Sequence, residues 1–419
     1  MSKIVELIQK HCPNGVEYRT LGELGVFYGG LTGKSKSDFA DGNAKFITYK
    51  NIFNNPALDL DITDSVKVGD NEKQNQIQYG DVLFTGSSET PDECGMSSVV
   101  TTQPNERYYL NSFCFGFRLY DVTMFLPDFL KHLLRSYDIR KQIYNTASGV
   151  TRFNVSKKRF ANVSIPVPPL PVQEEIVRIL DNFTELEKEL EKELEKRRQQ
   201  YEYYRNKLLS FNEIGGGAQQ VKWVKMSEIF HIKNGYTPSK ANPEYWTNGT
   251  IPWFRMEDIR ANGRILSDSI QHITPEAVKG GKLFPANSII VATTATIGEH
   301  ALIIADSLAN QQFTFLTKRE SLIPELDMKY MFYYMFIVDE WCKNNTNISG
   351  FASVDMGKFK NYLVPIPPIA EQKRIVSILD KFDALVNDIS VGLPAEIEAR
   401  RKQYEYYRNK LLTFNKKTA

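Results

Sequence analysis

The chain has 419 residues, of which 42% are hydrophobic and 24% charged, and its formal net charge at pH 7 is +2. This composition is typical of a soluble globular protein of two or three domains. We find neither an apolar run long enough to span a bilayer nor a basic-then-apolar signal segment, so we expect a cytoplasmic location. The near-neutral charge excludes a uniformly basic surface, so any basic nucleic-acid contact must be local.

Residues 1–164 form the first predicted domain. Turn-rich sequence separates short β-type runs at residues 81–85, 98–100 and 113–117. A helix is then predicted from Pro127, because proline suits the first turn of a helix. The apolar stripe of this helix is formed by Phe129, Leu130, Leu133, Leu134 and Tyr137.

The clearest local basic segment runs from residue 131 to residue 159 and contains a single acid, Asp138. Such a segment is typical of a surface that contacts phosphates, and equally of an ordinary solvated helix face. Its basic residues are Lys131, Arg135, Arg140, Lys141, Arg152, Lys157, Lys158 and Arg159.

Residues 165–214 are predicted to form a connector dominated by one long helix. We expect the helix to begin near Gln173, just after Pro171, and to run to about Phe211. Apolar residues at three-four spacing indicate a coiled-coil seam. The seam contains Leu180, Phe183, Leu190, Leu194, Tyr201, Tyr204, Leu208 and Phe211, with polar breaks at Glu187 and Arg197.

Residues 215–363 form the second predicted domain, whose first three residues, all glycine, are typical of a flexible joint. The order of elements repeats that of the first domain, with β-type runs at residues 288–293, 301–304 and 313–316 before a helix. Because the order recurs while most residues differ, we interpret the domains as duplicates that face different ligands. Divergence without a change of ligand would leave the same pattern.

Residues 364–419 are predicted to form a second connector that repeats the first. The decapeptide QYEYYRNKLL occupies residues 200–209 and returns letter for letter at residues 403–412. The second seam carries four extra residues, which is a stutter, and Gly392 and Pro394 at the insertion predict a kink or short break. This seam includes Leu379, Phe382, Val386, Tyr404 and Tyr407.

Together these patterns predict an α+β fold with a pseudo-two-fold internal repeat. Two tandem globular domains, each a small mixed β-sheet with helices, would be joined and spaced by two long antiparallel coiled-coil helices. At 1.5 Å per residue, a helix of about 39 residues is roughly 58 Å long, so the pair would act as a spacer. The alternative is that each helix packs back on its own domain.

No complete catalytic motif is present, so the chain is predicted to be non-catalytic. Residues 29–35 (GGLTGKS) resemble a phosphate-binding loop, but the first glycine of that motif would fall on Tyr28. Residues 242–245 (NPEY) resemble the Asn-Pro-Pro-Tyr signature of amino-group methyltransferases, with Glu244 replacing the second proline, and are more typical of a turn. The five histidines and four cysteines lack metal-ligand spacing, so we expect no metal or cofactor in this chain.

Two repeated segments, residues 166–181 and 365–380, share the pattern Pro-x-Pro-Pro-(Leu/Ile)-x-x-Gln-x-x-Ile-Val-x-Ile-Leu-Asp. The second domain adds NGYTPSK at residues 234–240, IPWFRMEDI at residues 251–259 and ANQQ at residues 309–312. Taken together and in this order, these motifs resemble the specificity subunit of type I restriction-modification systems over nearly the whole chain.

The resemblance implies that the two domains are target recognition domains, each reading one half of an asymmetric, gapped DNA target. It implies that the coiled coil sets the gap and docks methyltransferase subunits, which bring S-adenosylmethionine and modify adenine at N6. A separate motor-nuclease restriction subunit would use ATP and Mg. The first domain departs from the family pattern, because FITYKNI at residues 46–52 stands where the Pro-Trp segment is expected.

Lysine and arginine are candidates for phosphate contacts, and polar or aromatic side chains are candidates for reading bases. Trp253 and Gln311 are open to a structural interpretation as well. The candidates in the first domain are Lys34, Lys36, Lys50, Ser87, Ser88, Arg152, Lys157 and Lys158. Those in the second are Lys233, Tyr236, Lys240, Trp253, Arg255, Gln311, Gln312, Lys343 and Ser349. Partner-binding or inter-helix candidates are Leu180, Phe183, Leu190, Leu194, Tyr201, Tyr204, Leu379, Phe382, Val386, Tyr404 and Tyr407.

Two rival hypotheses stay open at this point. In one, the same recognition subunit serves a related system with a fused methyltransferase-nuclease. In the other, the chain is a coiled-coil scaffold that joins two protein-binding modules and never touches DNA. Salt-dependent binding to duplex DNA would exclude the scaffold.

Overall fold

The computed structural model folds into two compact units. Unit 1 comprises Met1–Glu191 and Glu396–Ala419, and unit 2 comprises Lys192–Ala395. Each unit therefore contains part of both connectors, and the four predicted segment boundaries stay a prediction. No helix in the described part of the chain combines the length and apolar character needed to cross a membrane. The structure describes residues 2–211, 221–322, 325–347, 352–388 and 391–417.

The first half of the chain, as far as the first connector, is built from short helices and strands. Its helices are α1 (Ser2–His11), α2 (Leu21–Leu24), α3 (Tyr49–Asn54), α4 (Pro127–Leu133), α5 (Tyr137–Tyr144) and α6 (Lys157–Phe160). Its strands are β1 (Glu17–Thr20), β2 (Gly25–Gly29), β3 (Ala44–Ile47), β4 (Thr63–Val66), β5 (Val82–Thr85), β6 (Ser87–Ser88), β7 (Ser97–Val99), β8 (Tyr108–Leu110), β9 (Cys114–Leu119), β10 (Ala147–Ser148), β11 (Phe153–Val155) and β12 (Ser164–Val167).

The second half begins with the first connector helix and ends with the second connector. Its helices are α7 (Leu170–Leu209), α8 (Met226–Ile229), α9 (Met256–Asn262), α10 (Met328–Asn344), α11 (Met356–Asn361), α12 (Ile369–Asn387) and α13 (Leu393–Leu412). Its strands are β13 (Lys222–Lys225), β14 (Phe230–Asn234), β15 (Ile251–Phe254), β16 (Ile265–Leu266), β17 (His272–Ile273), β18 (Ser288–Ala292), β19 (His300–Ile303), β20 (Leu308–Ala309), β21 (Phe313–Lys318), β22 (Thr346–Asn347), β23 (Ser353–Val354) and β24 (Leu363–Ile366). Single 3-10 turns lie at Lys36–Phe39, Pro243–Tyr245, Pro275–Ala277, Lys279–Gly281 and Glu320–Leu322.

The two units repeat one sheet topology, which confirms the predicted α+β internal repeat. The main sheet of unit 1 has the strand order β2-β9-β5-β7, and that of unit 2 has β14-β21-β18-β19-β16. A smaller sheet follows the same plan in both, because β3 pairs parallel with β8 and β15 pairs parallel with β20. A strand pair that leads into the connector closes each unit, β1 with β12 and β13 with β24.

The predicted β-type runs form the central strands, and their side chains are buried because both faces of the sheet are covered. All residues of β5 and of β18 are buried. One helix prediction is wrong: the helix from Pro127 does not continue to Tyr137. It ends at Leu133, where the Ser136 hydroxyl donates to the Leu133 carbonyl at 2.7 Å, and a second helix begins at Tyr137.

A buried glutamine fixes the start of each connector. The Gln173 side-chain amide donates to the carbonyl oxygens of Pro168 at 2.8 Å and Met124 at 3.0 Å, and its oxygen accepts from the Leu126 amide at 2.9 Å. Gln372 repeats the arrangement, and both residues are fully buried. The glutamine of the repeated pattern therefore joins three chain segments. The partners of Gln372 are Pro367, Glu325 and Asp327, each at 2.8 Å.

The first connector is one continuous helix and the second is two. Helix α7 begins at Leu170, three residues earlier than predicted, because Pro171 lies in the first turn, where its missing N–H costs nothing. The second connector is interrupted between Asn387 and Leu393, which confirms the predicted break near Gly392.

In unit 1, the predicted seam brings α13 against the first part of α7 in antiparallel order. The rings of Phe183 and Tyr407 stack with centroids 5.4 Å apart. Further along, Arg401 donates to Glu187 at 2.5 Å and to Glu191 at 2.6 Å. Glu187, the predicted polar break in the seam, thus forms an ion pair with Arg401 of the other connector. Leu180 is fully buried in the core of unit 1, where Tyr404 packs at its edge.

In unit 2, the second part of α7 packs against α12. Phe382 lies between two rings of the first decapeptide, with centroids 6.4 Å from Tyr201 and 5.6 Å from Tyr204. Leu379 and Val386 are buried in the same core. The alternative that each connector helix packs back on its own domain is wrong, because the first connector contributes Leu180 to the core of unit 1 and Tyr201 to that of unit 2. The remaining predicted seam residues are Leu190, which is half-buried, and Leu194, which packs at the edge of the unit 2 core.

Segments near the two ends of the chain meet within unit 1. The Val16 amide donates to the Asn415 carbonyl at 2.8 Å, and the Lys417 amide donates to the Val16 carbonyl at 2.9 Å. The Tyr18 hydroxyl donates to the Phe414 carbonyl at 3.0 Å. The decapeptide that follows the second domain therefore completes the unit of the first domain.

Replacing Gln173 by leucine is expected to lower the free energy of unfolding by at least about 2 kcal/mol, because it leaves a buried amide and two buried carbonyl oxygens unpaired. Differential scanning calorimetry should show the affected transition about 4–8 °C lower. Gln199→Leu, on the exposed face of α7, is the matched control and should leave the midpoint unchanged. Equal midpoints for Gln173→Leu and wild type would show that the side chain does not join these segments.

Candidate nucleic-acid interface

Polar loops gather at one end of the main sheet of unit 2. Asn234, at the end of β14, accepts a hydrogen bond from the Thr314 hydroxyl at 3.0 Å, and Thr314 also contacts the Thr293 hydroxyl at 2.8 Å. The chain turns at Gly235, where a Cβ atom would lie 2.3 Å from the Ala309 carbonyl oxygen, so only glycine fits. We call this surface the polar end of unit 2; it comprises residues 234–240, 293–298 and 309–312.

Unit 1 builds the corresponding end with the same backbone contacts. A Cβ atom at Gly30 would lie 2.1 Å from the Asn111 carbonyl oxygen. The Gly86 amide donates to the Phe113 carbonyl at 2.9 Å, as the Thr293 amide of unit 2 donates to the Gln312 carbonyl at 3.0 Å. The polar end of unit 1 comprises residues 29–34, 86–90, 111–113 and 147–152.

Several predicted contact residues meet at the polar end of unit 2. The Thr237 hydroxyl donates to the Gln311 side-chain oxygen, which links the first loop to the third. The Tyr236 hydroxyl accepts the Lys279 amide at 2.7 Å, and the Lys279 ammonium lies 4.7 Å from the ring centroid. Lys240 is exposed in the same loop. The remaining predicted residues of this region are Lys233, exposed on β14, and Gln312, half-buried beside Asn310.

Trp253 supports this surface from behind. Its ring is buried and meets Trp246 edge-to-face with centroids 4.9 Å apart, while its indole N–H donates to the Tyr236 carbonyl at 3.1 Å. Arg255 lies 5.7 Å from the Trp253 ring and forms an ion pair with Glu257 at 2.8 Å. The geometry gives Trp253 the structural role left open by the sequence.

The polar end of unit 1 brings together Ser87, Ser88 and Arg152. Both serines are buried in β6, which pairs with β11. The Arg152 guanidinium donates to the Ser87 hydroxyl at 3.0 and 3.2 Å, and the Tyr49 hydroxyl donates to the Ser87 carbonyl at 2.9 Å. Ser87 therefore positions Arg152, whose side chain reaches solvent.

The lysines predicted in unit 1 fall into two groups. Lys34 is held inside the protein, since its ammonium lies 2.6 Å from Glu72 and its side chain is 8% exposed. This hydrogen bond, together with those from the Gln74 side chain and the Gly69 amide, lowers the pKa of Glu72 to about 2. The lysine of the phosphate-loop-like segment, residues 29–35, therefore forms an ion pair within the protein. The other group is exposed and comprises Lys36, Lys50, Lys157 and Lys158.

Two predicted residues of unit 2 lie elsewhere or outside the described ranges. Lys343 pairs with Glu340 and borders a cleft of about 470 Å³ with Arg205, Arg264 and Phe336, on the connector side of α10. Ser349 falls outside the residues that the structure describes.

The basic segment at residues 131–159 does not form one surface. Arg135 donates to the carbonyl oxygens of Ser97 and Ile52, and Arg140 donates to that of Gly95. Burial lowers the pKa of both guanidinium groups to about 10. Two of its central cations thus satisfy loop carbonyls instead of facing a ligand.

The sequence analysis did not propose Lys279, Thr237, Tyr49 or Phe113 as contact residues. Thr237 and Phe113 lie within the polar ends, and Lys279 and Tyr49 contact them. Their contacts join loops that are far apart in the sequence, so no local spacing signals them. No group of three or more His, Cys, Asp or Glu that could hold a metal occurs within the described ranges.

Comparisons with known proteins agree with this architecture. Residues 13–196 and 219–399 match the family model described as type I restriction modification DNA specificity domain. The EcoprrI specificity subunit of Escherichia coli is 54% identical over 213 residues, which cover 49% of this chain and 53% of that protein. The EcoR124I/EcoR124II specificity subunit of Escherichia coli is 42% identical over 277 residues, which cover 63% of this chain and 65% of that protein. The match thus spans little more than half of the first relative and under two thirds of the second.

A solved structure from work on complex assembly and conformational transition of the type I R-M system has a TM-score of 0.66 and 18% identity, and covers 96% of this chain and 98% of that one. This likeness shows the fold.

The ion pair at Lys34 predicts a pH-dependent stability. Because the pKa of Glu72 is about 2 in the folded protein and about 4.3 in an unfolded chain, the contribution of the pair is complete above about pH 5 and is lost as the pH falls toward 2. Lys34→Gln should therefore lower the midpoint of thermal unfolding at pH 7 and converge with wild type at acidic pH. Lys36→Gln is the exposed control and should match wild type throughout. A deficit in Lys34→Gln that stays constant with pH would contradict this role.

Proposed function

Because this chain belongs to the type I restriction modification DNA specificity domain family, we propose that it is the non-catalytic DNA-recognition subunit of a type I restriction-modification complex. The observation that carries the proposal is that two units of one topology each gather polar loops at the same end of the main sheet, while the side chains of these loops differ. Each unit would read one half of an asymmetric, bipartite DNA target.

The exposed polar groups suit this task, because base edges are read by hydrogen-bond donors and acceptors while lysine and arginine hold phosphates. Gln311 and Thr237 supply donors and acceptors in unit 2, and Arg152 supplies a fixed guanidinium in unit 1. A near-neutral chain would then depend on local cations for phosphate contact. We propose as phosphate contacts Lys36, Lys50, Lys157, Lys158, Lys233 and Lys240.

The connectors would set the number of base pairs between the two half-sites and dock the partner subunits. This part of the proposal is supported by the unbroken helix α7 of 40 residues. Methyltransferase subunits would bring S-adenosylmethionine, and a motor-nuclease subunit would bring ATP and Mg, so this chain would need no cofactor of its own. The complex would act in the cytoplasm. No observation favours the scaffold hypothesis or the fused methyltransferase-nuclease alternative.

The two decapeptides offer a repeated docking surface for the methyltransferase. Tyr203 and Tyr406 occupy the same place in each copy and are exposed, as are Glu202 and Glu405. Packing within the protein does not explain why these exposed residues are identical in the two decapeptides, because the domains around them have diverged in sequence. A common partner that binds both copies explains it, with exposed tyrosine as a usual anchor of protein interfaces.

Mapping methylated adenines across the host genome, with and without this gene, tests the recognition function. With the partner methyltransferase intact, deletion should abolish methylation at one gapped motif whose two halves differ. The purified chain in complex with its partner should bind that duplex with affinity that falls steeply as salt rises. Unchanged methylation, together with no binding to duplex DNA, would exclude recognition and favour the scaffold.

Replacing both Tyr203 and Tyr406 by alanine should weaken assembly with the methyltransferase by about tenfold or more, because each removes an interface anchor. Either single variant should bind one methyltransferase copy fewer, as measured by native mass spectrometry. Tyr79→Ala, an exposed tyrosine outside the connectors, is the control. Unchanged stoichiometry in the double variant would place the docking surface elsewhere.

A further inference from the structure

Unit 1 presents two exposed apolar side chains at its polar end. Val150 is 92% exposed and Phe113 is 61% exposed. Val150 lies in the turn of the hairpin formed by β10 and β11, and Phe113 directly precedes β9. One exposed apolar residue is ordinary on a protein surface, so what matters is how these two are held.

The backbone fixes both positions. The Phe113 amide donates to the Asn111 side-chain oxygen at 2.8 Å, and its carbonyl accepts the Gly86 amide at 2.9 Å. In the hairpin, Gly149 has φ +152°, and a Cβ atom there would lie 2.0 Å from the Arg152 carbonyl oxygen. The turn therefore requires glycine, and it holds the next residue, Val150, out in solvent.

Arg152 joins the two into one surface. Its guanidinium is anchored on the Ser87 hydroxyl and lies 5.9 Å from the Phe113 ring centroid. The guanidinium of Arg152, a residue of the hairpin, thus contacts the loop before β9. We call Val150 and Phe113 the apolar tip of unit 1.

We propose that the apolar tip reads thymine in the half-site recognised by unit 1, through contact with the C5-methyl group in the major groove. This inference rests on the proposed function. The methyl group is the feature that marks thymine in the major groove, and an apolar side chain is the group that contacts it. Arg152 places a positive charge beside the tip, as required near phosphates. Because the proposed modification acts on adenine, every half-site contains an A·T pair and hence a thymine.

Replacing thymine by deoxyuridine removes only the methyl group and so tests the contact directly. The full chain, in complex with its methyltransferase partner, is titrated by fluorescence anisotropy with duplexes in which each thymine of the target is replaced in turn. Loss of one buried methyl contact should weaken wild-type binding about fourfold at one position. Val150→Ser and Phe113→Ala should bind the unmodified duplex more weakly and lose this sensitivity to deoxyuridine.

The chain supplies matched controls at the far end of the same strand. Tyr120 is 70% exposed and Val122 is 66% exposed, and both follow β9, which Phe113 precedes. A six-residue strand spans roughly 20 Å, so Tyr120→Ala and Val122→Ser should bind like wild type and keep the response to deoxyuridine.

Two results would overturn the inference while the proposed function stands: unaltered specific binding by Val150→Ser and Phe113→Ala, or an equal response of all variants to deoxyuridine. A wild-type complex with no preference for its target duplex would overturn the proposed function itself. Unchanged thermal unfolding of the two tip variants confirms that their loss of binding is local.

Discussion

The architecture depends on two buried glutamine side chains at equivalent positions of the repeat. Gln173 and Gln372 each donate two hydrogen bonds to, and accept one from, segments that converge where a domain meets its connector. A carboxamide suits this place because it donates and accepts at once, and buried backbone groups need both. Each glutamine bonds the proline carbonyl five residues before it and the backbone of two residues in the segment directly before a helix, α4 or α10. The connectors therefore leave their domains in equivalent ways, and the internal repeat of the sequence is also a repeat of the structure.

The identical decapeptides meet different neighbours, so equal sequence does not mean equal energetics. In unit 1, the Tyr404 hydroxyl lies 3.0 Å from Nδ1 of His132, whose Nε2 lies 2.7 Å from Asp181. Burial lowers the pKa of His132, so the neutral ring accepts from the tyrosine and donates to the carboxylate. In unit 2, the Tyr201 hydroxyl is buried without a hydrogen-bond partner among the described residues. The two domains thus also differ in the residues that contact the identical decapeptides.

The sequence predicted the repeat, the central strands, the connectors and the break near Gly392, because periodicity and proline or glycine placement report local structure directly. The proposed contact residues were harder to predict, because the same types of side chain also form hydrogen bonds that hold loops together. Lys34 and Arg135 are cations turned inward, and Trp253 is an aromatic residue that supports the surface from behind. Burial separates these roles, and it depends on loops that are distant in the sequence. The individual contact residues therefore stay predictions.

The meeting of Val16 with Asn415 and Lys417 has a consequence for the order of events during synthesis. Unit 2 is one continuous stretch of chain that ends at Ala395, so it is synthesised before most of α13. Unit 1 must wait for α13, although most of it is made first. A ribosome that stops early would release a protein with one finished unit and one that lacks a helix. Completion of unit 1 therefore requires that residues 192–395 have already been synthesised.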